Sequence, residues 1–193
     1  MKEKQIRILQ AATEVFSQHP YHQVKIDDIA SCAGVGKGTI YEYFSSKDEL
    51  FFQMLQASSR AYHNEMAKAV QKGKTVKDKL QLLFDYQLDF IETHGSMARI
   101  LGSEHWLPQD EFKALLRQQR EQLNAFVSAI LSEGIESGEF RPVSAEVVAQ
   151  SVLGTLMSLW GNAFLEESPA PASNFTEELM DFFLHGLRSG HEI

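Results

Sequence analysis

Residues 27–49 read DDIASCAGVGKGTIYEYFSSKDE, and the glycines of that stretch decide between two kinds of protein. A Walker phosphate loop requires Ser or Thr directly after Gly-Lys. Here Gly36-Lys37 is followed by Gly38, and Ser31 stands where the first glycine belongs. The dinucleotide fingerprint also fails, because Gly34 and Gly36 need a third glycine where the chain has Thr39. A helix-turn-helix fits the positions. Ala30 is small where two helices cross, Gly34 gives a tight turn its backbone freedom, and Ile29, Val35 and Ile40 point into a core shared with an upstream helix. The second helix of the hairpin starts at Lys37. Gly36 and Gly38 sit at or just inside that start, where each costs up to about 1 kcal/mol relative to alanine. Close approach of the backbone to a DNA groove is a demand that justifies the cost, since the first residues of a recognition helix are those that reach base edges. A loose inter-helix loop is the alternative reading of the same glycines.

Outward from this hairpin, apolar residues recur at helical spacing and no stretch alternates long enough for a sheet. A first helix over residues 5–18 buries Ile6, Leu9, Val15 and Phe16 and stops at His19-Pro20. Short helices follow at 27–33 and 37–44. A long one begins at the capping box Ser46-Lys47-Asp48-Glu49 and runs towards Val70. Breaks at 72–75, 94–96, 106–108, 138–142 and 168–171 divide the remainder into helices near 76–93, 96–105, 109–137, 144–166 and 174–189. The expectation is an all-α fold of about nine helices.

The run GVGKGTIYEYFSSKDELF, with the helix before VKIDDIA, resembles the signature of the tetracycline-repressor (TetR) family of bacterial transcriptional regulators. The resemblance is specific over residues 3–55 and extends beyond them only as a layout. It implies an N-terminal three-helix helix-turn-helix DNA-binding domain, residues 1–48, and a larger helical ligand-binding and dimerisation domain, residues 49–193. The implied protein is a homodimeric repressor, not an enzyme. It binds a double-stranded, palindromic operator and is released when a small molecule enters the larger domain.

Carried over residue by residue, Gly36, Lys37, Gly38 and Thr39 fall where the family approaches bases and backbone, and Tyr41 and Tyr43 where aromatic residues meet phosphate or thymine methyls. Lys47 opens the fourth helix, where a cation and free N–H groups suit a phosphate. Lys25 replaces the common threonine cap and puts a cation near the DNA backbone instead. Glu42 stands where many members carry a larger polar or basic residue, and either accepts from a cytosine or faces solvent. One of the two tyrosines also reads as core beneath Phe44.

In the larger domain, Phe84, Leu88, Ile91, Trp106, Phe126, Leu156 and Trp160 are candidates to line an apolar effector cavity, with Gln87 and Asn162 as orienting polar groups. Each of these aromatic and aliphatic residues also reads as ordinary core. The run EQLNAFVSAILSEGIESGEF, residues 121–140, resembles the corresponding helix of fatty-acid-metabolism regulators in the family, which implies acyl-CoA or another hydrophobic effector. Arg99, Arg117 and Arg120 are candidates for an anionic head group, or for surface pairs with Glu104 and Glu121. His63, His94 and His105 lie on separate helices without paired metal-ligand spacing, so neither a metal site nor a cofactor is expected.

Residues 147–165 form a run of 19 without charge, long enough to cross a bilayer. However, Ser151, Thr155, Ser158 and Asn162 share one helical stripe and no Lys or Arg flanks the run, which favours burial against protein. The final helices carry more apolar surface than one pair can bury. Val148, Ser151, Val152, Thr155 and Leu159, with Leu179, Phe182, Phe183 and Leu187, are therefore expected to form a four-helix seam between two copies. Such a dimer sets two recognition helices about 34–36 Å apart, one DNA turn, or at another palindromic spacing.

The composition agrees with an intracellular, cytoplasmic protein. The chain has 193 residues, 44% of them apolar, and the sole cysteine, Cys32, reads as a small buried thiol. Its net charge of -8 argues against a general polyanion binder. Residues 1–50 hold six Lys plus Arg against seven Asp plus Glu, so the acidity belongs to the larger domain and few phosphate contacts per head are expected. A helical carrier or a protein-binding module using a similar hairpin are the competing classes.

Overall fold

A computed structural model describes residues 2–93, 109–164 and 174–187. These residues form α1 (Glu3–Gln18), α2 (Ile26–Ala33), α3 (Lys37–Tyr43), α4 (Lys47–Val70), α5 (Val76–Thr93), α6 (Gln109–Glu136), α7 (Ala145–Phe164) and α8 (Phe175–Leu187). The all-α expectation holds for every described element. The helix expected at 96–105 lies outside the described residues.

The chain divides into two compact units, and α4 belongs to both. Its residues to Asn64 group with α1 to α3, and those from Glu65 group with α5, most of α6, α7 and α8. The expected boundary at residue 48 falls in the first turn of α4, whereas the two compact units part within that helix, between Asn64 and Glu65.

In the first unit α1 packs on α2, and α2 on α3. Ile8, Ala12, Ile29, Ile40 and Leu50 are fully buried, with Leu9, Phe16, Ala30 and Phe44 beside them. The stripe of α1 differs from the expected one: Ile6 is 41% exposed and Ile8 takes its place in the core. Both fit an apolar 3.6-residue period, and only the angle at which α1 meets α2 separates them. Phe16, Tyr21 and Phe51 form a ring cluster with centroids 4.7 to 5.7 Å apart, which fastens the α1–α2 connection onto α4.

Gly34 ends α2 in the left-handed region, with φ 61° and ψ 40°, and the next N–H, of Val35, donates to the Ala30 carbonyl at 3.0 Å. This is the turn that aims α3. Ala30, Ile29 and Ile40 are buried as expected, and Val35 is half-buried.

The second unit packs α5 against α7 and α8. Leu83, Phe84, Val127, Leu131, Ala149, Val152 and Leu156 supply its core. A β-carbon on Gly134 would lie 2.6 Å from the Phe140 ring, so glycine there seats the chain as it returns from α6. None of the described helices is long and apolar enough to cross a membrane.

Candidate nucleic-acid interface

The outward face of the first unit is set by three local devices. Lys25 precedes α2 without a side-chain cap, as its ammonium offers no acceptor. The Asp28 carboxylate instead reaches back to accept the Lys25 N–H at 2.9 Å. Ser46 accepts the Glu49 N–H at 3.0 Å, as the capping-box reading requires. The Glu49 carboxylate reaches one residue further than expected, to the Ser45 N–H at 2.6 Å and its hydroxyl, and these bonds hold its pKa below the usual carboxylate value. The third device is Gly34.

Together they present the first turn of α3 to solvent. Gly36, Lys37, Gly38, Tyr41 and Glu42 are exposed, while Thr39 and Tyr43 are half-buried. Tyr43 leans on Phe44, with ring centroids 6.4 Å apart, so it is the tyrosine with a core role, and Tyr41 is 49% exposed. Gly36 has φ -74°, an ordinary value, and a β-carbon on Gly36 or Gly38 meets no other atom within 4 Å. Nothing among the described residues requires glycine at either position.

Two cations expected to face phosphate already have partners. The Lys37 ammonium pairs with Asp27 at 2.8 Å, both side chains being more than half exposed, and Asp27 raises the Lys37 pKa. Lys47 is half-buried. Its ammonium donates to the Tyr21 carbonyl and lies 4.2 Å from the centre of the Tyr21 ring, and burial lowers its pKa. Tyr21 also donates to Asp48, which completes a clamp between the α1–α2 connection and the start of α4. Sequence reading missed Asp27 and Tyr21, which lie 10 and 26 residues from the lysines they hold.

Cys32 is exposed rather than buried, 3.5 Å from the Glu14 carboxylate, and its thiol pKa is raised by desolvation and that carboxylate. It falls on the outer side of α2 because Ile29, Ala30 and Ala33 take the inner side.

In the second unit, Phe84, Gln87 and Leu156 are buried, and Leu88, Ile91 and Phe126 half-buried. Gln87 Nε2 donates to the Met66 sulfur at 3.4 Å, and Phe84 stacks on Phe183 with centroids 6.0 Å apart. Trp106 and the side chains of Trp160 and Asn162 lie outside the described residues. So do Arg99, His94, Glu104 and His105, while Arg117, Arg120 and Glu121 are exposed. His63 is half-buried, 3.4 Å from the Ser59 hydroxyl, and burial lowers its pKa. No group of three potential metal ligands occurs among the described residues.

Of the expected seam, Phe182 is 73% exposed, Ser151 is exposed, and Val148, Thr155, Leu179 and Phe183 are half-buried. Val152 and Leu159 are buried within the chain's own core and have little area left for a second copy. The Leu187 side chain lies outside the described residues. Val147 and Met157 are also exposed on α7, and an open groove of about 610 Å³ runs between α7 and α8, lined by Val148, Ser151, Phe182 and Phe183. The Ser151 and Thr155 hydroxyls return to carbonyls of their own helix, at 3.2 Å each, which leaves this face small and satisfied.

Comparison with known proteins places these two units. Residues 8–54 match the family described as bacterial regulatory proteins, tetR family, and residues 73–161 match the tetracyclin repressor-like C-terminal domain. The fatty acid metabolism regulator protein of Bacillus subtilis is 27% identical over 154 residues, 79% of each chain. Among solved structures, the fatty acid degradation regulator FadR of Bacillus halodurans superposes with a TM-score of 0.78 at 23% identity, covering 98% of this chain and 99% of its own. FadR from B. subtilis, in complex with stearoyl-CoA, superposes with a TM-score of 0.72 at 24% identity, covering 97% and 99%. With its helix-turn-helix head and its second helical unit each matched by a profile of the same group, this chain belongs to the TetR family of bacterial regulatory proteins.

Proposed function

We propose that this protein is a cytoplasmic, homodimeric transcriptional repressor that reads a palindromic operator with α3 and lets go when a small acyl-chain effector occupies the second unit. Residues 1–48 are the DNA-reading part and residues 49–193 the effector and dimer part. The observation that carries the reading is the first turn of α3. It bears two exposed glycines that the fold itself does not need, beside an exposed lysine. Backbone that must enter a groove closely explains both glycines, and Lys37, Thr39 and Tyr41 then lie within reach of phosphate and base edges. Lys25, Tyr43 and Glu42 border this surface. Lys47 acts through the Tyr21 clamp as well as through its charge.

The face of α7 and α8 around Phe182 and Ser151 is the dimer seam in this reading, because an apolar ring so exposed asks for a partner surface. The effector class is taken from the B. subtilis relatives, one of which was solved with stearoyl-CoA. The relatives are regulators, and the chemistry assigned to this chain is binding rather than catalysis.

Gel-shift titration of the full chain against the DNA upstream of its own gene tests the proposal. A retarded complex that competes away with unlabelled operator and dissociates on adding stearoyl-CoA is expected. No sequence-selective complex at micromolar protein refutes the DNA reading, and a complex indifferent to stearoyl-CoA refutes the effector class.

A further inference from the structure

Asn124, Val127, Ser128 and Leu131 stand at i, i+3, i+4 and i+7 on α6 and so share one face of the helix. Val127 and Leu131 are buried, at 0% and 1% exposure, so this face turns into the second unit. Two polar side chains thus interrupt a core stripe one turn apart. The Asn124 Oδ1 and the Ser128 Oγ are both buried and neither has a hydrogen-bond partner among the described residues.

Other helical hydroxyls of this chain behave differently. Thr13, Ser17, Ser151 and Thr155 each donate to a carbonyl three or four residues back. Ser128 has the same option towards the Asn124 carbonyl and does not take it. A buried polar atom without a partner carries its full desolvation penalty, and native cores hold few of them. Two on adjacent turns of one inward face are a binding feature more readily than a packing fault.

We propose that Asn124 and Ser128 form the polar end of the effector site, and that the effector is an apolar molecule carrying a neutral hydrogen-bonding group, a hydroxyl or an amide. Such a group donates to the Asn124 carbonyl oxygen while it accepts from the Ser128 hydroxyl. A carboxylate brings only acceptors and meets the Asn124 oxygen with lone pairs on both sides. The cations of α6 nearest in sequence to the pair, Arg117 and Arg120, are exposed and lie a turn or more before Asn124. The neighbouring Val127 and Leu131 supply the apolar wall. This inference rests on the reading of the second unit as the effector domain, and adds to it the polar group that the effector must carry.

The test uses the full chain and three probes of equal chain length, decan-1-ol, decanamide and decanoate, with dissociation constants measured by calorimetry. The wild type is expected to bind the alcohol and the amide at least tenfold more tightly than the carboxylate. In Asn124→Leu/Ser128→Ala that preference disappears, through at least a tenfold loss for the two neutral probes. The melting temperature of the ligand-free variant stays the same or rises, because two unpartnered atoms are gone. If the double variant does not fold, Ser128→Ala alone carries the comparison. A wild type that binds none of the probes or does not rank them, or a variant that keeps the ranking, overturns the proposal. Operator release by stearoyl-CoA is scored separately. Release without the ranking fails only this proposal, and the ranking without release fails only the acyl-CoA reading.

Discussion

Gly38→Ala separates what the fold needs from what the DNA needs. Gly38 is the second residue of α3, and a β-carbon there meets no other atom within 4 Å among the described residues. Replacing it adds helix propensity, worth about 0.5 kcal/mol near a helix end against about 1 in the interior. For a chain of this size that raises the melting temperature by about 1–2 °C. Operator binding moves the other way. A methyl group that blocks the groove costs about 1 kcal/mol per head, the low end of one good base contact, hence about 2 kcal/mol for a dimer, or about 30-fold in affinity. Gly34→Ala is the control. Its φ of 61° strains any side chain, at about 1–2 kcal/mol, so it lowers the melting temperature by about 2–8 °C. Calorimetry or circular dichroism reads the stability, and fluorescence anisotropy on a labelled operator reads the affinity. A Gly38→Ala protein that is as stable as expected and binds the operator as tightly as wild type refutes the reasoning, and leaves the glycines as a loose loop.

Three further outcomes are expected. Lys37→Ala lowers the slope of log affinity against log salt by about 0.9 for each head and leaves the melting temperature unchanged, whereas Lys47→Ala also lowers the melting temperature because it removes the Tyr21 clamp; equal stability of the two variants contradicts the clamp. His63 has a depressed pKa, so its neutral form is favoured by folding and its contribution is complete above the ordinary value of 6.5 and lost as pH falls through the folded value. Melting temperature therefore declines from pH 7.5 to 5, and His63→Gln flattens that decline; an unchanged profile assigns the pH dependence to other groups. Phe182→Asp places a charge on the exposed ring position of α8 and yields a monomer by sedimentation at micromolar protein, while a dimer of unchanged affinity removes α8 from the seam.

The recognition hairpin was legible in the sequence because its signals are local. Gly34, Ala30 and Ile40 answer to a turn and a crossing within ten residues, and Ser46 caps a helix three residues away. Interactions across elements were not legible. That Asp27 holds Lys37 and Tyr21 holds Lys47 follows from how α2 and the α1–α2 connection fold back, which periodicity does not encode. For the same reason Ile8 and Ile6 were interchangeable on paper, and Cys32 was assigned to the core by residue type when its neighbours turn it outward. Val152 and Leu159 read as seam residues from their apolar character, but burial inside one chain and burial between two leave the same mark on a sequence. Asn124 and Ser128 gave a faint signal, two polar residues at the spacing of Val127 and Leu131, which looks like any amphipathic helix until the surrounding burial is known.

The pairing of Lys37 with Asp27 also bears on how the protein spends its time among the on the order of a million or more competing sites of a genome. A head whose foremost cation already has a carboxylate beside it gains less from an arbitrary stretch of phosphates, since a contact by Lys37 there first requires the Asp27 pair to open. Stops on unrelated DNA are then short, and most copies travel in solution between encounters. Only a groove that also accepts the glycine turn of α3 holds the head long enough for the exchange to complete. A shorter stay on unrelated DNA is thus the consequence of one surface aspartate.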